Sequence, residues 1–513
     1  MPRSWHELGD NMDLDNQEPT SNEAVSQPRK RGSRRVVSTE LAVDSVTSPS
    51  AEATGEVNPS GAAPERPRRR RAQADEAAPA RDESATESSD EGSDSGDDNG
   101  DDQGNGFNRG RGRGRGRDRR RGRGSFGEDG DPEISDDDVL IPIGGILDVL
   151  DNYAFVRTQG YLPGSTDVYV SLGQVKKYNL RKGDAVIGAI RQPRDGENQG
   201  RQKYNALVSV DSVNGQTIDE AASRVDFQAL TAVYPTERLR METSAENITG
   251  RVLDIVTPVG KGQRGVIVGA PKTGKSMILS AMATAVAENA PDAHLMVVLI
   301  DEHPEAITEL QRHAKGEVIA STFDRSADDH TTIAELAVER AKRLVELGHD
   351  VVVLVDSLTR LARAYQQSLG GGRGLSGDTA WLYPTKKLFG AARNVENGGS
   401  LTIIGTLVTD TGIQGDDVVA SEVAGSATLE LHVSHEAAAA RMFPALDISH
   451  SATRKDDQLL AKDEAGVVAD IRKALGATSS TAGLGVILEG MKATASNVEF
   501  LVAMGKKLPG LGL

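Results

Sequence analysis

The sequence of 513 residues contains no cysteine. That absence excludes a disulfide framework, a thiolate metal site and a cysteine nucleophile, and a reducing compartment costs the chain nothing. No run approaches the length of about 18 apolar residues that crosses a bilayer, and the first residues have no apolar core like that of a signal peptide. The expectation is a soluble, cytoplasmic protein with no membrane partner. At roughly 150 residues per domain the length suggests about three units. The formal net charge of −17 would argue against a nucleic-acid partner only if it were evenly spread. It is not.

Residues 1–138 are dominated by Ser, Asp, Glu, Gly, Pro and Arg, with almost no apolar periodicity. Such a segment buries too little apolar surface to offset chain entropy, and it reads as a long disordered N-terminal arm. Its charge is blocked: Arg66 to Arg71 is basic, Asp82 to Asp102 is acidic, and Arg109 to Arg123 is an Arg-Gly tract. Arg-Gly tracts bind RNA by charge and by guanidinium stacking, although the acidic block competes and a solvating linker is the plainer reading.

Order begins near Leu140. Over 139–215 the pattern is of short alternating strands, Ile146 to Thr158, Asp167 to Ser171, Asp184 to Arg191 and Tyr204 to Val213, which predicts a small β-barrel of about five strands. A period of two puts Tyr153, Phe155 and Arg157 on one face and Ala154 and Val156 on the other; the same rule exposes Asp167, Tyr169 and Ser171. Aromatics and an arginine on one barrel face form a platform for single-stranded bases, with Asp167 placed to read a base edge. This is the pattern of an OB or cold-shock fold, against the alternative that Tyr153 and Phe155 are core. With Tyr204 opening the last strand, the candidate RNA-binding set is Tyr153, Phe155, Arg157, Asp167, Tyr169 and Tyr204.

After a connector at 216–247, residues 248–513 change to apolar strands alternating with amphipathic helices, the sign of an α/β domain with a largely parallel sheet. Gly269-Ala270-Pro271-Lys272-Thr273-Gly274-Lys275-Ser276 matches G-x-x-x-x-G-K-[ST] between an apolar strand, Gly265 to Val268, and the helix formers Met277 to Glu288. In that setting backbone N–H groups turn around phosphate oxygens, Lys275 reaches the β- and γ-phosphates, and Ser276 holds Mg²⁺. Two further strand ends carry acids. Leu295 to Ile300 runs into Asp301-Glu302, with Glu302 the general-base candidate and Asp301 its local rival; either acid serves equally as a cap for the helix that Pro304 begins. Val351 to Val355 runs into Asp356, the Walker B arrangement that holds Mg²⁺.

These residues resemble the bacterial transcription termination factor Rho family, ring-shaped RNA-dependent ATPases with a RecA-like motor. The match runs from about Gly145 to the C-terminus. It includes Leu299-Ile300-Asp301-Glu302, Lys315-Gly316-Glu317-Val318, Asp356-Ser357-Leu358-Thr359-Arg360-Leu361-Ala362-Arg363-Ala364-Tyr365, Phe389-Gly390-Ala391-Ala392-Arg393-Asn394 and Arg441-Met442-Phe443-Pro444-Ala445-Leu446-Asp447. The resemblance implies a RecA-like P-loop ATPase behind an RNA-binding barrel, using ATP and Mg²⁺ in a homohexamer that acts on single-stranded RNA and the RNA polymerase elongation complex. It implies a nucleotide site from Gly269, Ala270, Pro271, Lys272, Thr273, Gly274, Lys275, Ser276 and Met277, with Arg441 and Phe443 lining the adenine. Glu302 and Lys275 would be catalytic, and Arg454 would be an arginine finger supplied by a neighbouring subunit. From the residues alone, Arg454 before Lys455-Asp456-Asp457 reads more simply as a surface ion pair.

The chain departs from that family pattern in several places. Gly370 to Trp381, which the resemblance puts in the central channel, is unusually glycine-rich; Gly412-Ile413-Gln414-Gly415, in a second channel segment at Thr409 to Asp417, lacks the usual lysine; and His303 replaces an arginine. Where the family commonly has a small helical bundle ahead of the barrel, the sequence before Leu140 shows no amphipathic-helix pattern. Rival readings are a P-loop recombinase or rotary ATPase subunit, which lacks an RNA platform, and a non-catalytic RNA scaffold, against which Glu302 and Asp356 argue.

Overall fold

The computed structural model describes residues 139–192, 204–369, 379–475 and 479–507, so the N-terminal arm, the Arg-Gly tract and most of the Gly370 to Trp381 segment lie outside the described residues. Five strands, β1 (Leu140–Val149), β2 (Ala154–Arg157), β3 (Val168–Val170), β4 (Ala185–Arg191) and β5 (Asn205–Val213), close a barrel in the order β1-β2-β3-β5-β4. Closure leaves no unpaired strand edge, and the inward residues Leu147, Val156, Val168, Val170, Leu207 and Val210 fill the middle. The stretch Ile146 to Thr158 is two strands rather than one. Leu150 N donates to Tyr153 O at 2.9 Å, and Asp151 and Asn152, both good turn formers, sit in the bend.

The connector supplies structure of its own: a short helix (Ile218–Ala222) and the two-residue strands β6 (Ala232–Val233) and β7 (Arg238–Leu239). β7 pairs with β8 (Val259–Gly260), and β6 joins the large sheet through β13 (Arg393–Val395). That sheet is formed by β9 (Arg264–Gly269), β10 (His294–Glu302), β11 (Glu317–Thr322), β12 (Asp350–Asp356), β14 (Ser400–Val408), β15 (Leu429–Val433) and β16 (Leu446–Thr453). Its main order is β11-β10-β12-β14-β9-β15-β16, parallel from β11 to β15 and antiparallel at the β16 edge, with β13 pairing antiparallel to the start of β14 and to β6.

Parallel strands are buried on both faces, and this explains why they read as continuous apolar runs. Along β12, Val352 and Leu354 face one core while Val351, Val353 and Val355 face the other. The first core is covered by helices Ile248–Val256 and Lys275–Asn289 and by the C-terminal helices Lys462–Leu475, Ser480–Lys492 and Asn497–Lys507; the second is covered by Ala327–Glu346 and Leu358–Ser368. Arg251, fully buried, pins the C-terminal helices by donating to Met491 O and Thr494 O, each at 2.7 Å. No helix among the described residues is long and apolar enough to cross a membrane.

Barrel and motor meet along helix Ala327–Glu346. Gly183, at φ +87°, approaches so closely that a Cβ there would lie 2.5 Å from Arg340 N and from Glu339 C. Around it, Tyr161 OH donates to Glu317 at 2.8 Å, Arg340 Nη1 donates to Asn214 Oδ1 at 2.6 Å, and Arg181 pairs with Glu346 at 3.1 Å. Burial, reinforced by Glu317, holds the Tyr161 hydroxyl well above its ordinary pKa, so it stays a donor. Gly183→Ala combines a backbone clash with a left-handed conformation that a side chain resists, and it is expected to destabilise the chain by about 2–4 kcal/mol. A urea unfolding midpoint equal to wild type would contradict this account of the joint.

Candidate active site and nucleic-acid interface

β9 delivers the chain to Gly269, and the loop that follows turns on two residues with left-handed backbone, Lys272 at φ +64° and Gly274 at φ +97°. Gly274 caps helix Lys275–Asn289 with no side-chain cap bond, leaving the first N–H groups of the helix directed at the loop, a ready anion site. Thr273 Oγ1 closes the loop on Ala270 O at 2.8 Å. Lys275 is 8% exposed and donates to Gly269 O at 2.7 Å and Ala270 O at 2.6 Å. Burial lowers its pKa to about 8; Asp356 opposes that shift and Arg360 adds to it.

β12 ends at Asp356, which is buried and accepts from Ser276 Oγ and from Thr406 Oγ1, each at 2.6 Å. β10 ends in a bulge at Asp301, φ +56°, which turns Glu302 toward the cleft. Glu302 Oε2 accepts from Arg360 Nη1 at 2.5 Å. A cleft of about 630 Å³ is lined by Pro271, Lys272, Lys275, Ser276, Met277, Glu302, Asp356, Arg360 and Arg363, among others. The P-loop, Glu302 and Asp356 are therefore brought together as the sequence predicts.

Arg360 and Arg363 were legible only as members of a longer motif. Their spacing on helix Leu358–Ser368, which starts directly after Asp356-Ser357, puts both on one face, and this is the signal that finds them. Arg363 Nε donates to Asp416 Oδ1 at 2.9 Å, and Asp416 also accepts from Thr411 Oγ1 at 2.5 Å. The Thr409 to Asp417 segment is thereby tied to the cleft. His303 is exposed and packs edge-on against Phe323, ring centres 5.5 Å apart.

Phe443 lies beside the P-loop: its ring edge is 3.6 Å from where a Cβ on Gly274 would stand. Arg441, two residues earlier, is exposed. Arg454 is not at the cleft of its own chain. Its N–H donates to Thr428 O, and Thr428 N donates to Arg264 O, which marks the start of β9, a strand length of about 17 Å from Gly269. The ion pair expected on residue grounds does not form, because Asp456 is taken by Arg472 at 2.5 Å; Arg454 is exposed and makes no ion pair among the described residues.

On the barrel, Tyr153 and Tyr169 are exposed, at 44% and 37%, while Ala154 and Val156 are buried, as the alternation predicts. Phe155 sits edge-to-face with Tyr153, Tyr169 and Tyr204 at ring separations of 5.6, 5.9 and 4.9 Å, so the aromatics form one cluster. The expected exposure of Arg157 and Asp167 is wrong. Arg157 is 5% and Asp167 2% exposed, and Arg157 donates to Asp167 Oδ2 at 2.7 Å and to Asp148 Oδ2 at 2.5 Å. Two carboxylates out of water need a counter-charge, and the arginine folds inward to supply it. Its guanidinium carbon remains 5.4 Å from the centre of the Phe155 ring.

A closed barrel with an exposed aromatic cluster, followed by a RecA-like domain whose P-loop, Glu302 and Asp356 share one cleft, defines a P-loop nucleotide-binding protein with a nucleic-acid-binding module. The family model described as Rho termination factor, RNA-binding domain, matches residues 143–219, and that described as ATP synthase alpha/beta family, nucleotide-binding domain, matches 250–453. The chain is 55% identical over 385 residues to a transcription termination factor Rho of Streptomyces lividans, covering 74% of this chain and 54% of that protein. Another from Streptosporangium roseum is 47% identical over 368 residues, covering 71% of this chain and 92% of that one. The chain belongs to the transcription termination factor Rho family. It spans little more than half the length of its Streptomyces lividans and Micrococcus luteus relatives, 54% and 56%.

The state of Lys275 gives a direct test of the cleft. Bound phosphates favour the ammonium, so binding raises a pKa that stands at about 8 in the free protein. Affinity for a nucleoside triphosphate is then greatest below pH 8 and falls by up to about tenfold per pH unit above it, until the bound-state pKa is reached. Titration of a fluorescent ATP analogue between pH 7 and 10 should show this decline; a flat profile would contradict it.

Proposed function

We propose that the chain is an RNA-driven ATP hydrolase that acts as a transcription termination factor. In this reading a cytoplasmic homohexamer captures nascent single-stranded RNA on its barrels, draws it through the ring as a translocase with RNA–DNA helicase activity, and releases it from the RNA polymerase elongation complex. The observation that carries the proposal is the presence in one chain of an aromatic cluster, the exposed Tyr153 and Tyr169 with the half-buried Phe155 and Tyr204, and a P-loop cleft that includes a carboxylate free of the metal position, Glu302. The functions for which the Streptomyces lividans, Micrococcus luteus and Streptosporangium roseum relatives are named support the same reading.

Gly269 to Met277 receive the phosphates, and Phe443 offers an apolar face for the base. Ser276 Oγ and the Asp356 carboxylate are hard oxygens already within 2.6 Å of each other, the donor set suited to Mg²⁺. When bound, that ion neutralises charge on the β- and γ-phosphates. Glu302 takes a proton from the attacking water, for which it must exchange Arg360 for that water, leaving the guanidinium to face the transferred phosphoryl group. Arg454, remote from its own P-loop and without an ion pair among the described residues, serves the cleft of the neighbouring subunit. The Arg363–Asp416–Thr411 link carries the state of the cleft to the Thr409 to Asp417 channel segment.

The RNA platform rests on stacking. A base held against Phe155 or Tyr153 is worth about 1–3 kcal/mol, whereas Arg157 and Asp167 act by supporting the strand beneath. In the full chain, Glu302→Gln should keep ATP affinity and lower turnover by about a hundredfold or more, the scale of general-base catalysis. Phe155→Ala should weaken binding of a short oligocytidine by about 5- to 150-fold without changing nucleotide affinity. Turnover retained by the first variant, or RNA affinity retained by the second, would refute the corresponding half of the proposal.

A further inference from the structure

Between the aromatic cluster and the nucleotide cleft runs a chain of charged contacts that neither site uses directly. It starts at Phe155, whose ring lies 5.4 Å from the Arg157 guanidinium. Arg157 binds Asp148 Oδ2 through Nη2 at 2.5 Å and Nε at 3.1 Å. The other oxygen, Asp148 Oδ1, is buried, accepts no hydrogen bond, and faces the ammonium of Lys182 at 3.3 Å. Lys182 belongs to the barrel. Its second partner, Glu335 Oε2 at 3.5 Å, is on the motor helix Ala327–Glu346. Glu335 Oε1 in turn accepts from Tyr365 OH at 2.9 Å, and Tyr365 lies on helix Leu358–Ser368, which carries Arg360 and Arg363 into the cleft.

We infer that Lys182 and Glu335 are positioning residues that transmit occupancy of the barrel's aromatic face to the arginines of the nucleotide cleft. The inference rests on the RNA-driven ATPase reading and adds the route of the coupling. A base stacked on the solvent side of Phe155 shifts the ring against the buried Arg157 beneath it and loosens the hold of Arg157 on Asp148. The carboxylate then turns its unsatisfied oxygen fully toward Lys182, which draws away from Glu335. Freed from the lysine, Glu335 grips Tyr365 more tightly, and the helix start that sets Arg360 against Glu302 shifts with it. A ligand moves such an equilibrium only through contacts that differ between the two states, and each link here has two alternative partners.

The surroundings suit this role. Gly183, next to Lys182, is pressed against the backbone of Glu339 and Arg340, so the joint holds its position while the side chains exchange partners. A cavity of about 340 Å³ opens beside the pair, lined by Lys182, Glu335, Lys342, Tyr365, Tyr383 and Lys387, which gives those side chains room to move. The side chains of Lys182 and Glu335 are 25% and 45% exposed, so replacing them leaves no buried charge stranded on the motor side.

The test is a double-mutant cycle in the full chain with Lys182→Met, Glu335→Gln, both together, and the reversed pair Lys182→Glu with Glu335→Lys. ATP turnover is measured without RNA and at saturating oligocytidine, and RNA affinity is measured separately by fluorescence anisotropy. Both single variants should keep RNA affinity within about twofold of wild type; Glu335→Gln should also keep basal turnover within about twofold, whereas Lys182→Met, which frees Glu335 permanently, should raise basal turnover toward the RNA-stimulated value. Each should lose about tenfold of the RNA stimulation, a coupling of ordinary allosteric size. The double variant should lose no more than either single one, and the reversed pair, which sets a carboxylate against the buried Asp148, should not regain the stimulation. Normal stimulation in the single variants, losses that simply multiply, or full recovery in the reversed pair would overturn the relay while leaving the ATPase reading intact. A wild-type protein that binds oligocytidine without any stimulation would overturn both.

Discussion

The candidate active site depends on the parallel alignment of β9, β10, β12 and β14. Because these strands run the same way, the P-loop, Glu302, Asp356 and Thr406 are all delivered to one edge of the sheet, as ligand-binding residues commonly are in open α/β sheets. The strands hold that alignment because each is apolar on both faces and covered by helices on both. Polar side chains then close the edge. Ser276 and Thr406 share the two oxygens of Asp356, and Lys275 folds back on the carbonyls of Gly269 and Ala270.

The same alignment separates Arg454 from Gly269 by the length of a strand, so a single chain carries the cleft at one end of the sheet and, at the other, the Arg454 guanidinium, which makes no ion pair among the described residues. The barrel adds a second dependence. It is fastened to helix Ala327–Glu346 and its surroundings by the close approach of Gly183 and by Tyr161, Arg181 and Arg340.

Much of this was legible in the sequence where local pattern decides the structure. The P-loop lies between a strand and a helix, and the apolar runs before Glu302 and Asp356 end where the acids begin. Alternation in Tyr153 to Val156 sorted the aromatics outward and the small residues inward. What was not legible depends on partners distant in sequence. Arg157 shares its face with Phe155 by periodicity, yet its guanidinium turns in toward Asp148 and Asp167, and nothing within its own strand announces that. Asp456 chooses Arg472 over its neighbour Arg454 for the same reason. The bend at Asp151-Asn152 was hidden by apolar residues on either side, and the contact between Gly183 and Arg340 exists only after two domains have docked.

The central claim is that hydrolysis at the cleft answers to RNA on the barrel. The most direct measurement is steady-state ATP turnover of the full chain alone, with pyrimidine-rich single-stranded RNA, and with the same mass of duplex DNA. The account predicts slow turnover alone, a large rise with the RNA and none with the duplex. Turnover that is the same in all three would contradict it.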